Sequence, residues 1–291
     1  MTTFSFPAIG TQWQIDIYSP ISSKKLSDLK IRVFARIEEF DQTYSRFKKN
    51  SWVIEASKKL HVPQIVPDDF PPLFSLYKSL YQASQGLCTP LIGKLLEQAG
   101  YDSDYSLSEK TLTHPPALEN AIQLKGGKII FKEPVVLDFG AAGKGYLVDI
   151  VAKLLTESGI DSFCIDASGD ILHKDLKDTK IRVGLEHPDD PALAIGVCEL
   201  LNKSICGSAG NRRKWGNFHH TINPFTLQSP DEVKATWIVA DNASLADGLA
   251  TCLFLDPNPE HYRDFNFECV LLYKDNSAFI SRNFPGELYT G

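Results

Sequence analysis

No apolar run in the chain approaches the roughly 20 residues that a membrane-spanning helix needs, so the sequence predicts no such segment. The start, Met1-Thr2-Thr3-Phe4-Ser5-Phe6-Pro7, lacks a basic segment, an apolar signal core and a lipid-attachment cysteine. As it stands the chain reads as cytoplasmic; removal of a leader beforehand would leave export open. Positive charge is not in excess either. A net charge of -6 and a pI near 5.7 argue against broad binding to nucleic acid or to an anionic membrane. The six cysteines, at 88, 164, 198, 206, 252 and 269, form no C-x-x-C pair and sit in apolar surroundings. That pattern suits reduced core thiols and not a zinc site or a disulfide frame.

What the chain does have is concentrated around Val135-Val136-Leu137-Asp138-Phe139-Gly140-Ala141-Ala142-Gly143-Lys144-Gly145-Tyr146. The run Val135 to Leu137 reads as a strand that stops at Asp138, and three glycines follow within six residues. Leu147, Ile150, Val151, Leu154 and Leu155 then recur at helical spacing up to a closing Gly159. A glycine-rich turn into a helix lets the backbone approach a ligand, and the amides of the helix start favour an anion such as phosphate. Neither familiar phosphate loop is present, however. A Walker A loop needs Ser or Thr after its Lys, where this chain has Gly145; a dinucleotide fingerprint needs G-x-G-x-x-G, where this chain has G-x-x-G-x-G. Asp166, about 20 residues on, keeps a nicotinamide-binding reading open, as does a turn that merely packs a helix on a sheet.

Elsewhere the patterns alternate between the two periods. Thr11 to Tyr18 places Trp13, Ile15 and Ile17 on one side of a half-buried strand. A helix is expected from Ser22 to about Phe40, with Leu26, Leu29, Ile31, Val33, Phe34 and Ile37 as its apolar stripe and a polar, aromatic loop from Asp41 to Phe47 after it. Further helices are expected at Asp68 to Gln85, Lys94 to Gln98 and Ser244 to Leu255, and a hairpin turning at Gly126-Gly127. Ile181 to Leu185, Ala194 to Leu201, Ala235 to Ala240, Val270 to Tyr273 and Phe279-Ile280 are strand candidates. Such alternation indicates α/β or α+β architecture. Paired strands flank both long helices and no low-complexity linker divides the chain, so residues 1–291 are expected to form one compact α+β domain with mixed or antiparallel sheets.

Two later stretches are hard to explain as packing alone. Ser204 to Thr226 holds several glycines, the cations Arg212, Arg213 and Lys214, and the pair His219-His220. Asp247 and Thr251, four residues apart, share one helical face; two such oxygens suit either a solvated surface or a hard cation.

Taken together, Asp138-Phe-Gly-Ala-Ala-Gly-Lys-Gly-Tyr-Leu-Val-Asp149, His219-His-Thr-Ile-Asn-Pro-Phe-Thr226 and Ala246-Asp-Gly-Leu-Ala-Thr251 resemble the ApbE family, the FAD:protein FMN transferases. Weaker similarity runs through Phe6 to Thr11, Ser45 to Ser51, Gly86 to Gly93 and Asp166 to Asp170, so it covers nearly the whole chain. The resemblance implies Mg²⁺ held by the side chains of Asp247 and Thr251 with the backbone oxygen of Gly143. It implies FAD contacts at Gly140, Lys144 and Tyr146, at Ile9, Phe47, Leu87, Cys88 and Thr89 from the N-terminal half, and at Ile222. His220 matches the active-site histidine, and Asp247 counts with it as catalytic through the cation.

The expected reaction is Mg²⁺-dependent transfer of FMN from FAD to a Ser or Thr hydroxyl of an acceptor protein, with AMP released. An FAD diphosphatase giving FMN and AMP, and an FAD-binding protein without turnover, are the alternatives. Three departures bear on them: Ser208-Ala209-Gly210 where the family tends to have Thr-Ser-Gly, Thr89 where it tends to have Asp, and Asn223 where Asp usually precedes Pro224.

Overall fold

The computed structural model describes residues 1–211 and 213–289. Its frame is an eight-stranded sheet whose strands lie side by side in chain order: β1 (Thr2–Ala8), β2 (Thr11–Ile17), β3 (Phe163–Asp166), β4 (Ile171–Lys174), β5 (Ser204–Ala209), β6 (Val233–Ala240), β7 (Phe267–Tyr273) and β8 (Ala278–Ile280). Every neighbouring pair is antiparallel. The longer helices fill the connections: α1 (Ser23–Tyr44), α2 (Phe70–Ala83) and α3 (Gly143–Glu157) between β2 and β3, and α4 (Ala243–Leu255) between β6 and β7.

Period two explains which face each residue serves. In β2, Trp13, Ile15 and Ile17 are fully buried under the helices, while Gln12 and Gln14 on the other face are exposed. β6 has no polar face. Ile238 and Ala240 join the main core, whereas Ala235, Trp237 and Val239 join a second core with Leu185, Cys198 and Leu200. That second core lies under a three-stranded sheet formed by Ile181–His187, Asp190–Leu200 and Gly286–Leu288. A strand covered on both faces reads as a near-continuous apolar run, as Val233–Ala240 does. The hairpin around Gly126-Gly127 is present, paired further with Gln64–Ile65. All six cysteines are buried free thiols. No helix among the described residues is long and apolar enough to cross a membrane.

Two local expectations need correction. Helix α1 continues to Tyr44, beyond Phe40, because Phe40 and Tyr44 extend its buried row of Leu29, Val33 and Ile37; of the residues placed in that stripe, Ile31 is largely exposed and Phe34 is 43 % exposed. Val135 to Leu137 is no strand. Val135 and Leu137 are buried, but the run lies against the loop at Pro90–Gly93: the Asp138 amide donates to the Pro90 carbonyl at 2.9 Å, and a Cβ on Gly93 would stand 2.6 Å from the Val136 oxygen. Its apolar character comes from crossing the core, not from pairing in a sheet.

Candidate active site

Helices α3 and α4 meet at their N-terminal ends, and the sequence there permits it. Gly145 faces α4 so closely that a Cβ would lie 2.1 Å from the Ala243 oxygen and 2.7 Å from the Asp247 Cβ. With no side chain in the way, the Gly145 amide donates to Asp247 Oδ2 at 2.8 Å. Asp149, one turn along α3, accepts from the Ala243 and Ser244 amides at 2.8 and 2.9 Å and so caps α4 beside its own Asn242 cap. One of the helix-start amides expected to face a phosphate is therefore spent on an internal carboxylate.

Asp247 is 6 % exposed, and α4 is buried nearly all round, so this is no solvated face. Burial, with Asp170 as a second negative neighbour, pushes the Asp247 carboxyl well above the ordinary range. Lys144 forms an ion pair with Asp170, itself 1 % exposed, while a quarter of the lysine side chain stays open to the cavity described below. Burial works against the Lys144 charge, but Asp170 and Asp247 outweigh it and hold the ammonium above its usual value.

These groups border a cavity of about 610 Å³. On its wall stand Asp247, Thr251, Lys144, Gly140 and His220, from three separate parts of the chain. Phe47, Leu87, Cys88, Thr89 and Ile222 line it as well. Three of the expected residues do not. Gly143 is buried in the first turn of α3, Tyr146 turns its hydroxyl away to the Asp69 carbonyl at 3.0 Å, and Ile9 occupies the β1–β2 turn with φ of 42°.

The two neighbouring histidines have different situations. His219 is 6 % exposed; its Nδ1 accepts from the Thr221 amide at 3.2 Å, and its Nε2 lies 3.0 Å from the Pro230 carbonyl, to which it donates. Both nitrogens are thus committed to backbone, and burial lowers the pKa of the ring. His220 is the one that lines the cavity. Arg212, within the basic run, lies outside the described residues; Arg213 donates to the Tyr101 hydroxyl at 3.2 Å.

The departures also find places. Asn223 Oδ1 accepts from the Phe225 and Thr226 amides at 2.8 and 3.1 Å, a turn-forming role that an amide oxygen performs as well as a carboxylate does. Thr89 Oγ1 accepts from the Leu91 amide at 3.2 Å. Three residues of the site were not anticipated from the sequence: Asp170, which holds Lys144; Asp149, which caps α4; and Arg46, which grips Asp138. Asp149 and Asp170 close two of the motifs quoted above, which is the only signal they carry.

The donor set suits a hard cation. Among the described residues no cluster of three His, Cys, Asp or Glu side chains offers a metal cage. Instead a buried carboxylate and the Thr251 hydroxyl, which reaches the Ala141 carbonyl at 3.3 Å, project from one face of α4 onto the cavity. Few protein oxygens beside an open space is the arrangement Mg²⁺ tolerates, since it keeps waters and takes ligand oxygens.

Fold and cavity together define an α+β protein whose cavity lies between the helix face carrying Asp247 and Thr251 and the partly exposed Lys144. The chain belongs to the ApbE family, whose model matches residues 9–265. A relative named FAD:protein FMN transferase from Treponema pallidum (strain Nichols) is 24 % identical, with 96 % of this chain and 80 % of that protein covered. One of the same name from Escherichia coli (strain K12) is 20 % identical, covering 88 % of this chain and 78 % of that protein. Among solved structures, the ApbE protein of Thermotoga maritima superposes with a TM-score of 0.86 at 17 % identity, covering 98 % of this chain and 99 % of its own. The flavin transferase ApbE of Vibrio cholerae gives 0.79 at 19 % identity, covering 97 % of each chain.

Proposed function

We propose that this chain, acting as one domain, transfers the FMN portion of FAD to a Ser or Thr hydroxyl of an acceptor protein and releases AMP. The observation that carries the reading is the convergence of Asp247, Thr251, Lys144 and His220 on one cavity. Phosphoryl transfer needs an in-line nucleophile and neutralised phosphate charge, and little else from the protein. Lys144 supplies a fixed positive charge, kept in place by Asp170. Asp247 and Thr251 are the side chains that would hold Mg²⁺, with the backbone oxygen of Gly143 as the expected third protein ligand, and the cation would neutralise diphosphate oxygens. A bound cation also accounts for Asp247, since it makes ionisation of a buried carboxyl favourable.

His220 takes the proton of the acceptor hydroxyl as its oxygen attacks the FMN phosphorus. The new P–O bond forms, the bond from that phosphorus to the bridging oxygen breaks, and AMP leaves with the electron pair. His219 does not line the cavity and bonds backbone through both of its nitrogens. Phe47, Leu87 and Ile222 give apolar wall for the rings of FAD. Incubation with FAD, Mg²⁺ and an acceptor polypeptide tests the proposal: AMP should appear and the acceptor should gain the mass of FMN. Neither product, with several acceptors tried, overturns it.

A further inference from the structure

Arg46 lies behind the cavity wall and touches three of its components. Its side chain is 1 % exposed. The Nε donates to Asp138 Oδ2 at 2.5 Å, and the carboxylate's other oxygen accepts from the Gly140 amide at 2.7 Å, so Arg46, Asp138 and the glycine turn form one chain of bonds. The Asp138 amide adds the Pro90 carbonyl, next to Thr89. On the other side the guanidinium carbon sits 4.2 Å from the Phe47 ring centre and 5.0 Å from that of Tyr101, the two rings being 5.3 Å apart at 70°. Phe47, Tyr101, Asp138 and Gly140 all line the cavity.

Nη1 and Nη2 are buried without a hydrogen-bond partner; besides Asp138, the carboxylate of Glu97 stands 4.0 Å from Nη1. A buried cation with two unmet donors is costly for a residue whose only task is to fill space. Its planar fork is what allows it to face two rings and bond a carboxylate at once; a lysine ammonium, a compact point charge, cannot do both.

We infer that Arg46 is a positioning residue for FAD: it fixes the aromatic wall and the glycine turn in the one geometry that receives the ligand. The inference rests on the flavin reading of this cavity. Arg46 touches neither the helix face of Asp247 and Thr251 nor His220, so its effect falls on binding and not on the chemical step.

The test is Arg46→Lys, with FAD affinity followed by flavin fluorescence, the steady-state constants for FAD, and melting as a control for folding. A folded Arg46→Lys protein should bind FAD roughly 10- to 100-fold more weakly, the usual loss when a supporting partner is removed, with KM for FAD rising far more than kcat falls. Asp138→Asn should act in the same direction, and the double variant should lose no more than the worse single one, because both break one link. Wild-type FAD affinity in folded Arg46→Lys, or strictly additive losses in the double variant, overturns the inference. If Arg46→Lys does not fold, Asp138→Asn decides, and unchanged FAD affinity there overturns it equally. Failure of the wild-type protein to bind FAD would instead remove the flavin reading itself.

Discussion

The Gly145 amide and Asp247 Oδ2, 102 residues apart in sequence, meet at 2.8 Å where two helices touch. That bond joins the glycine turn at the start of α3 to the helix face of Asp247 and Thr251. Any side chain at 145 must push them apart, since a Cβ would collide with backbone and not with a flexible side-chain end. Gly145→Ala should therefore destabilise the fold by about 1–3 kcal/mol, the usual cost of overpacking, and abolish turnover. Urea denaturation and AMP release measure the two effects, and a stable, active Gly145→Ala protein would contradict this account of the helix contact.

Mg²⁺ should raise the melting temperature of the wild-type protein and leave Asp247→Asn unmoved. The amide of Asn keeps an acceptor for Gly145 but loses the charge, so the variant should fold without being stabilised by the cation. At a hundredfold excess over its dissociation constant a ligand adds about 2.7 kcal/mol. Equal Mg²⁺ stabilisation of both proteins, read by calorimetry, would place the cation elsewhere.

His220→Ala should lower transfer by roughly 10²- to 10⁴-fold, the worth of a positioned general base, and leave FAD binding in place. Substitution of His219 should instead cost stability, because its two backbone bonds are lost. Melting curves beside initial rates separate the two, and wild-type rates in His220→Ala would end the role assigned to it.

Acid should weaken the fold through His219. Burial holds its pKa below the ordinary 6.5, so the unfolded chain binds the proton more readily than the folded one. The stability this contributes is present above 6.5 and is lost as pH falls through the lowered value. His173, buried with its pKa also lowered, acts in the same direction. Melting temperature should drop between neutral pH and pH 5, and the drop should shrink in His219→Asn; an identical pH profile in that variant would contradict it.

Most helices and strands were legible because their periods were regular, as at Thr11–Ile17 and Gly143–Glu157. Val135 to Leu137 misled because an apolar stretch that crosses a core and one that pairs in a sheet look the same locally. In the site, Lys144, His220, Asp247 and Thr251 were legible from motifs and do meet at one cavity. Tyr146 matched a motif position, yet its hydroxyl bonds the Asp69 carbonyl, a contact 77 residues distant that no local pattern encodes. Arg46 was hidden for the same reason: its importance lies in Asp138, 92 positions away.

The most direct test of the account is the ratio of products. With FAD, Mg²⁺ and an acceptor polypeptide, AMP should appear in equal amount to FMN bound covalently to an acceptor Ser or Thr, both counted by mass spectrometry, and Asp247→Ala should give neither. AMP accompanied only by free FMN would show that water, and not a protein hydroxyl, is the nucleophile, and would contradict the transfer reaction proposed for this cavity.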